Sequence, residues 1–432
     1  MAVRGEPRSG GEPSPSVTEV GAWEAPGPPH AVKSANPRLL VALSALHFTL
    51  FPIPIVTLFW TDQIGMSLAD VMVLQAIYGL AVVFCEFPSG YLADRIGYRT
   101  SVLVGGTLWA AGWLAYAWAG SFGTVVVAEI ILGAGTAFMS GADRALLWVS
   151  LEASGHGGDY MRWEGRVRAA SQTSEAVSSA VGGWLYTIHA RLPFWLQIPI
   201  AVLALANIAA LREVRRPTTT EHRSHVARAL HVVRFALRRR GRLRTALALA
   251  VALGLSSFVM VWLIQPYMKA RGIPPSWFGP LWAGAHVWLA VVSLASARVV
   301  AALGVRAPLL GCCVLVPLGY LGLAATTSAW GVAFYLCFMT LRGLQGPILA
   351  RVMQEEAPPD DRASVLSLAA LLFRLSFVIA GPPIGVLADR VGMEVAFTVL
   401  GIVFTTASLL AFFAFARAHN TAGSSPQHAT HG

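Results

Sequence analysis

Long apolar runs separated by short polar connections occupy most of this chain and limit how it can fold. A helix needs about 20 apolar residues to cross the hydrocarbon core of a bilayer. Backbone polar groups must be satisfied inside such a segment, so a long run without alternation predicts a helix rather than a strand. Twelve segments meet this description, at residues 39–60, 69–92, 101–119, 122–143, 167–188, 194–212, 244–267, 276–297, 307–327, 329–350, 363–387 and 393–416.

The composition supports the same class. Of the 432 residues, 55% are hydrophobic and 12% are charged, whereas soluble domains contain about 25% charged residues. A chain this apolar needs lipid as its solvent, so we predict an all-α integral membrane protein with twelve transmembrane helices. All four cysteines fall within apolar runs and lack a metal-binding spacing, which favours buried free thiols.

A polar, basic segment near the middle of the chain divides the predicted helices into two groups of six. We predict a first six-helix bundle at residues 38–212 and a second at residues 244–417. The segment between them, 213–243, has apolar residues at helical spacing among arginines, which predicts an amphipathic helix on the membrane surface. The polar residues 1–37 and 418–432 are predicted to be disordered tails.

Lysine and arginine residues concentrate in the connections that share a side with the N-terminus. The positive-inside rule then places both termini in the cytoplasm. No signal peptide is evident, and the Ala-, Arg- and Gly-rich usage is typical of a bacterium, so we expect the plasma membrane, the inner membrane of a bacterium. The net charge of +10 follows from this topology, so no nucleic-acid partner is needed to explain it.

One short connection carries a recognisable motif. The run Gly90-Tyr-Leu-Ala-Asp94-Arg95-Ile-Gly97-Tyr-Arg99 resembles the loop between the second and third helices of the major facilitator superfamily. The family pattern is Gly-x-Leu-Ala-Asp-Arg-x-Gly-Arg-Arg, and the chain departs from it because Tyr98 replaces the first arginine of the final pair. A similar run ends the predicted eleventh helix and contains Gly385, Asp389, Arg390 and Gly392.

The resemblance covers residues 38–417 and implies the fold and activity of that superfamily. Two pseudo-symmetric six-helix bundles would rock around a central site at the membrane midplane and open to each side in turn. Such a protein is a secondary transporter of small molecules that needs no cofactor, and we expect a monomer. The sequence shows no phosphate-binding loop, metal-ligand cluster or nucleophile–base–acid set, so we expect neither an enzyme nor an ATP-driven pump.

The resemblance also implies a conformational latch in the motif loop. Asp94 would pair with basic residues at helix ends and hold the outward-open state, and we expect Arg144 to be its partner. Asp94 could alternatively lie at the N-terminus of the eleventh helix, where the helix dipole favours an anion. The residues assigned to the latch are Gly90, Asp94, Arg95, Gly97, Arg99, Arg144, Asp389 and Arg390.

Ionisable residues are few inside the predicted helices, and a charge at membrane depth is costly enough to indicate a function. The candidates for proton coupling or for lining the cavity are His47, Glu86, Glu129, Glu175, Arg342 and Arg374, with His286 as a further titratable group and Gln265 as a further polar one. For each histidine, a packed core residue is the alternative.

Two of the carboxylates lie in recognisable patterns. Glu86 begins the run Glu-Phe-Pro-Ser-Gly, which resembles a facilitator subgroup, and it could carry a proton or serve as a structural hydrogen-bonding residue. Glu129 takes the place of the arginine in the family's helix-4 pattern Arg-x-x-x-Gly-x-Gly. The family links that arginine to proton coupling, so the replacement removes the usual mechanism, although a carboxyl group can itself bind a proton.

Glycine and proline patterns mark the fifth and eleventh helices. On the fifth helix, the final glycines of a pattern found in drug–proton antiporters follow Glu175, but the Gly-Pro pair of that pattern is missing. The eleventh helix carries a closer version. Such glycines allow close helix contact, and the prolines would kink or loosen the helix during gating. The packing and gating candidates are Gly182, Gly183, Gly381, Pro382, Pro383 and Gly385.

Two arginines lie near the centres of predicted helices. Arg342 is on the tenth helix and Arg374 on the eleventh, and a buried arginine stays charged and needs a partner. The intramembrane carboxylates all lie in the first bundle, so pairs between the bundles could form in one state and break in the other. Arg342 could instead bind an anionic substrate, and either arginine could bind carbonyl groups of its own bundle.

We therefore expect proton-coupled efflux of a hydrophobic or amphiphilic small molecule, with aromatic side chains such as Phe48, Trp60 and Trp262 available to contact it. Two alternatives stay open. The protein could take up or export a polar or anionic metabolite. It could also be a membrane sensor or scaffold that uses its basic linker and tails and transports nothing.

Overall fold

The computed structural model describes residues 35–214, 241–358 and 361–423, and these residues form helices without strands. In chain order the α-helices are α1 (Asn36–His47), α2 (Val56–Asp62), α3 (Leu68–Ile96), α4 (Tyr98–Trp118), α5 (Phe122–Met139), α6 (Ala142–Ala153), α7 (Tyr160–Ile188), α8 (Leu192–Ala210), α9 (Gly241–Ala270), α10 (Pro275–Leu303), α11 (Arg306–Ala325), α12 (Tyr335–Glu356), α13 (Arg362–Val391) and α14 (Met393–Gly423). Short 3-10 helices at Gly157–Asp159 and Ala329–Phe334 precede α7 and α12. We call residues 35–214 the first half and the described residues from 241 onward the second half.

Nine helical segments of the described chain are long and apolar enough to cross a membrane. They confirm an all-α, multi-pass membrane protein. The other three predicted segments are also helical, over α1 with α2, over α4 and over α7, and the count of twelve spans stays a prediction. The predicted linker helix within 213–243 and most of both predicted tails lie outside the described residues. The final helix, α14, continues through residues 418–423 because no helix-breaking residue occurs before Gly423.

The first predicted segment, 39–60, is two helices rather than one. Residues 48–55 separate α1 from α2 and contain Pro52 and Pro54. Each proline lacks an N–H donor and disfavours helical geometry at the residue before it, so the chain does not continue as one helix between His47 and Val56. The freed backbone groups find side-chain partners: the Leu50 N–H donates to Ser178 Oγ at 2.9 Å, and Gln197 Nε2 donates to the Thr49 carbonyl at 2.7 Å.

Local sequence signals set the other helix boundaries. Ser67 and Asp70 form a capping box that starts α3, and Ser121 and Thr124 form another that starts α5. A single residue, Gly97, connects α3 to α4 with φ of 98°, a backbone conformation that residues with a Cβ atom rarely adopt. These signals produce short connections, so the helices on either side of them run antiparallel and pack side by side.

Contacts between helix termini define two ends of the molecule. At the first, Lys269 lies 2.5 Å from Asp62, and Arg271 lies 2.9 Å from Glu394. We call it the Asp62 end; it comprises residues 59–68, 117–121, 189–195, 266–275, 326–331 and 389–394.

The opposite end is tied together by polar contacts within each half. Arg99 donates to the carbonyls of Leu211 and Ala209 at 2.7 and 3.1 Å and so caps the C-terminus of α8. In the second half, Arg242 lies 2.8 Å from Glu356. We call this the Arg99 end; it comprises residues 35–38, 94–101, 150–164, 209–214, 241–245, 303–306 and 353–362. The predicted topology assigns it to the cytoplasm, and that assignment stays a prediction.

Within the first half, glycines bring α4 and α5 into close contact. A Cβ atom at Gly135 would lie 2.8 Å from the Trp109 nitrogen and 2.9 Å from the Gly105 carbonyl oxygen. Gly105 in turn faces the Met139 backbone nitrogen. Small residues allow this approach, which lets helices in lipid gain dispersion contacts with little other driving force.

The two halves meet along two helix pairs, with α3 packed on α13 and α7 packed on α10. At the Asp62 end the backbones touch at glycines. Gly183 and Gly279 face the backbone of the opposite helix, and Gly385 on α13 faces the backbone of Leu68 and Ala69 on α3. Gly182 packs instead on the break between α1 and α2, and Gly381 faces the Phe377 ring of its own helix. Helix α13 is continuous through Pro382 and Pro383.

We expect Gly135→Val to destabilise the folded protein because a side chain there meets backbone rather than flexible atoms. Overpacking of this kind costs about 1–3 kcal/mol, which would lower the midpoint of thermal unfolding in detergent. Gly123→Val, at a position on the same helix with open space around it, is the matched control and should leave the midpoint nearly unchanged. Equal midpoints for the two variants would contradict the close α4–α5 packing.

Candidate functional site

An ion pair joins the two halves at middle depth. Arg374 on α13 donates to Glu86 Oε1 on α3. At 1.5 Å per helical residue, Glu86 lies about 15 Å from the end of α3 and Arg374 about 18 Å from the start of α13, so both are well inside their helices. The Glu86 side chain is 41% exposed and that of Arg374 is 29% exposed. The pair is therefore solvated as well as bonded.

Helical geometry shows which face of α3 carries Glu86. Gln75 precedes it by 11 residues, close to three full turns, so the two side chains share one face. Gln75 is buried, whereas Phe84, two residues before Glu86 and on the opposite face, is 71% exposed. Glu86 therefore lies on the face of α3 that is turned toward the protein interior.

A second acid–base contact joins the halves along the other helix pair. Glu175 Oε1 on α7 lies 3.9 Å from His286 Nε2 on α10, and both side chains are mostly buried. Arg342 on α12 is close enough to act electrostatically on both groups. Thus two of the predicted carboxylates, Glu86 and Glu175, are brought to cationic or titratable residues of the second half.

Glu129 has a different environment, inside the first half. It is buried between α3, α4 and α5, where the Tyr116 hydroxyl donates to its Oε1 and Gln75 also bonds its side chain. The Tyr116 ring is stacked on Phe194 of α8 at a centroid distance of 5.6 Å. These partners hold Glu129 away from the two arginines of the second half.

Gln265 of α9, in the second half, forms hydrogen bonds with the backbone at the break between α1 and α2 in the first half. Its Oε1 accepts from the N–H groups of Thr57 and Leu58 at 2.9 and 3.4 Å, and its Nε2 donates to the Ile53 carbonyl at 3.0 Å. The side chain is 1% exposed. The first N–H groups of a helix lack partners within it, so this one amide caps α2 and satisfies the broken backbone at once. We call these three hydrogen bonds the Gln265 clasp.

Further contacts close the Asp62 end. Asp389 accepts from the backbone N–H groups of Leu68 and Ala69 at 3.0 and 2.8 Å, which places a carboxylate at the N-terminus of α3. The neighbouring Arg390 is exposed. Trp60 of α2 stacks on Trp262 of α9 at 5.7 Å. The second sequence motif therefore contributes its aspartate to a contact between the halves.

The first motif makes its described contacts within the first half. Gly97 lies against the carboxylate of Glu213, three residues beyond the end of α8. The Arg95 guanidinium lies 5.2 Å from the Tyr91 ring on its own helix, and Arg144 lies 3.6 Å from Glu164 on α7. Gly90 has open space around it, and the predicted pairing of Asp94 with Arg144 stays a prediction.

Two cavities occupy equivalent places in the two halves. A cavity of about 200 Å³ lies between α1, α5, α6 and α7 and is lined by Ser44, His47, Asp143, Arg144 and Glu164 among others. The buried Nδ1 of His47 has no hydrogen-bond partner among the described residues, and its ring packs 4.9 Å from Trp109.

The second cavity has a volume of about 340 Å³ and lies between α9, α12 and α13. Its lining includes Ser257, Phe258, Arg342, Gln345 and Phe373. Counted along the chain, the second cavity lies among the first, fourth and fifth long helical segments of the second half. The first cavity lies among the first, fourth and fifth segments of the first half.

Several of these residues were not among the sequence candidates. Ser178 and Gln197 support the break, and the two prolines at 52 and 54 are the signal that could have revealed it. Gln345 follows Arg342 by three residues, so both lie on one helix face. Phe258 and Phe373 are indistinguishable in sequence from the many aromatic residues that face lipid.

Comparison with known proteins agrees with this architecture. A family model described as Major Facilitator Superfamily matches residues 39–381. A search of curated protein sequences gives no match. Many solved structures are similar, and at their low sequence identity the three described next show the fold alone.

The first is the nucleoside transporter NupG, with a TM-score of 0.74, 13% identity, and coverage of 89% of this chain and 99% of that one. The second is a bacterial homolog of the human lysosomal transporter Spinster in an inward-facing, unoccupied conformation, with a TM-score of 0.71, 12% identity, and coverage of 91% and 98%. The third is the peptide transporter POT in complex with sulfate, with a TM-score of 0.69, 15% identity, and coverage of 90% and 95%.

We expect Gln265→Met to weaken closure of the Asp62 end, because methionine fills similar space but makes none of the three hydrogen bonds. Each contributes about 0.5–1.5 kcal/mol net, so the population open at that end should rise by about tenfold or more. Spin labels at Gln63→Cys and Ala270→Cys, with the native cysteines replaced by alanine, measure the change as a longer distance in double electron–electron resonance.

The matched control is Gln197→Met, which removes an amide that binds the same break from within the first half. It should leave the distance between the labels unchanged. Identical distance distributions for Gln265→Met and its parent would show that the Gln265 clasp does not hold the halves together.

Proposed function

Because the chain belongs to the major facilitator superfamily, we propose that it moves an amphiphilic small molecule across the membrane by proton-coupled alternating access. Members of this superfamily are secondary transporters, so at family level the chain is a multi-pass membrane transporter and not an enzyme. The substrate, the coupling ion and the direction of transport belong to the proposal, as do the bacterial inner membrane, the cytoplasmic termini and the monomeric state.

The contacts between the halves support a state that is closed at the Asp62 end. The Gln265 clasp, the Asp389 cap on α3 and the Lys269–Asp62 pair all join the halves there. The polar contacts of Arg99 and Arg242 at the other end each stay within one half. In this proposal the space between the halves opens toward the Arg99 end, which the predicted topology assigns to the cytoplasm, so the state is ready to accept substrate for export.

The Glu86–Arg374 ion pair is the observation that carries the proton step. An arginine stays charged in a protein, so its carboxylate partner is the group whose protonation can change the pair. A proton on Glu86 would remove the partner charge of Arg374 and weaken the tie between α3 and α13. A proton can shift the equilibrium between states only if the two states bind it differently. A pair that joins the two halves provides that difference.

The Glu175–His286 contact supports the same idea along the opposite helix pair. Movement of one half against the other would separate Glu86 from Arg374 and Glu175 from His286 together. Between the two carboxylates that the sequence favours for the proton step, the geometry supports Glu86. Glu129 is bonded inside one half, where rocking leaves its partners in place.

We expect Glu86→Gln to abolish gradient-driven transport while the protein still inserts and still exchanges substrate down its own gradient. Glutamine imitates the protonated carboxyl group and cannot release a proton. The measurement uses proteoliposomes with a pH-sensitive dye inside, an imposed proton gradient, and 2-naphthoate, 2-naphthamide and tetraphenylphosphonium as trial substrates.

The control is Glu355→Gln, which breaks an exposed pair with Arg351 at the Arg99 end and should leave transport unchanged. Substrate-triggered proton movement of parental size in Glu86→Gln would contradict the proton step at this residue. If substrate moves without protons in the parent protein, the transporter is a uniporter or uses another ion. Absence of flux with every probe, together with stable capture of a partner protein, would favour the sensor or scaffold alternative.

A further inference from the structure

The cavity in the second half contains a cation, a polar amide and two aromatic rings. Arg342 and Gln345 supply the polar groups from α12, and Phe258 and Phe373 supply the rings from α9 and α13. We propose that this cavity binds a small aromatic carboxylate, with the carboxylate on Arg342 and the ring against Phe373. The proposal rests on the transport function above and names the class of its substrate.

The charge of Arg342 is the first argument. A guanidinium at membrane depth is costly, and its planar fork of donors fits a carboxylate with two parallel hydrogen bonds. Within the described part of the chain, no carboxylate lies within 4.0 Å of the Arg342 nitrogens, whereas Arg374 is paired with Glu86. Glu175 acts on Arg342 electrostatically, but its Oε1 lies next to His286 rather than within 4.0 Å of the arginine. Arg342 thus retains its donors for a ligand.

The aromatic wall is the second argument. The ring centroid of Phe258 lies 5.3 Å from that of Phe373 and 5.0 Å from that of Phe377, both with edge-to-face geometry. These contacts fix the ring of Phe258 in place. Gly254 packs closely on the Phe373 ring, where a Cβ atom would come within 3.3 Å of it, so a larger residue at this position would displace the ring. Both rings line the cavity, and a flat aromatic ligand can pack against Phe373 there.

The volume limits the ligand. About 340 Å³ is near the lower end of the range that small-molecule pockets span, roughly 300–1,000 Å³. A ligand with one or two aromatic rings and a carboxylate is of suitable size.

The cavity of the first half has the opposite electrostatic character. It is smaller, at about 200 Å³, and its lining contains two carboxylates, Asp143 and Glu164, against one arginine, Arg144, that already lies near Glu164. An anion would be repelled there. The two equivalent positions therefore differ in the charge they accept, and the second-half cavity is the one that suits an anion.

The test is equilibrium binding to the purified full-length protein in detergent at neutral pH, by isothermal titration calorimetry. The probes are 2-naphthoate and 2-naphthamide, which have nearly the same shape and differ in charge. We expect the naphthoate to bind about tenfold or more tightly than the amide. Arg342→Gln should reduce naphthoate affinity to that of the amide, and Arg342→Lys should retain part of it.

Two further variants separate the contributions. Arg351→Gln removes an exposed arginine from the same helix and should leave naphthoate affinity unchanged. Phe373→Ala should weaken naphthoate and naphthamide by the same factor, because both use the ring. Unfolding midpoints of all variants show that loss of binding is not loss of fold.

The proposal is overturned if the amide binds as tightly as the naphthoate, if the parent protein does not bind naphthoate, or if Arg342→Gln binds it with parental affinity. Binding at equilibrium requires no proton gradient. A negative result here therefore leaves the proton step at Glu86 standing, and a coupled transporter with another substrate class would be the remaining interpretation. Conversely, if the parent protein binds naphthoate tightly and Glu86→Gln still couples transport to protons, only the proton step at Glu86 is contradicted.

Discussion

Inside a bilayer every backbone N–H and C=O group must find a partner within the protein, and this requirement shapes the first helix of the chain most strongly. Pro52 and Pro54 interrupt that helix and free backbone groups that water cannot reach. Three side chains from three different helices, Ser178, Gln197 and Gln265, satisfy them. Because Gln265 belongs to the second half, completing the backbone of the first segment also fixes how the halves meet. The break is stable only while the Asp62 end is closed or while water replaces the missing amide.

A second constraint acts on the charges at middle depth. An isolated charge there is far more costly than a polar backbone group, and removing one partner of a buried pair leaves the other uncompensated. Glu86 meets this cost by facing Arg374 across the interface between the halves, whereas Glu175 lies beside His286, which carries a charge only when it is protonated. Relative motion of the halves must therefore change the partners of these groups, and a proton, a ligand anion or water has to take the place of each lost partner.

The sequence predicts the class of fold well because lipid imposes a strong rule on helix length and composition. The sequence also identifies five candidate residues, since polar residues are rare inside apolar runs: Glu86, Glu175, Arg342, Arg374 and Gln265. It could not show which carboxylate faces which basic residue, because that depends on how helices of the two halves pack; Glu86 and Arg374, for example, are 288 positions apart in the chain. Glu129 illustrates this limit: it resembles the other carboxylates in sequence, yet Tyr116 and Gln75 bond it inside the first half. Hydropathy averages over the two prolines, so the sequence pattern predicts one continuous helix where the structure has a break at residues 48–55.

The two kinds of contact suit different tasks in a transporter. The hydrogen bonds at the Asp62 end join neutral groups or exposed charges, and each contributes only about 0.5–1.5 kcal/mol net because water can replace it when that end opens. Together such contacts can hold this end closed, and because each one is weak, they can break one at a time when the end opens. The charged groups at middle depth cannot exchange a lost partner for water so easily, since bulk water reaches them only from the open side. In the proposed mechanism, coupling to a proton or to a bound anion is therefore assigned to Glu86, Glu175 and Arg342, where an unpaired group is costly, and gating to the Asp62 end, where it is not.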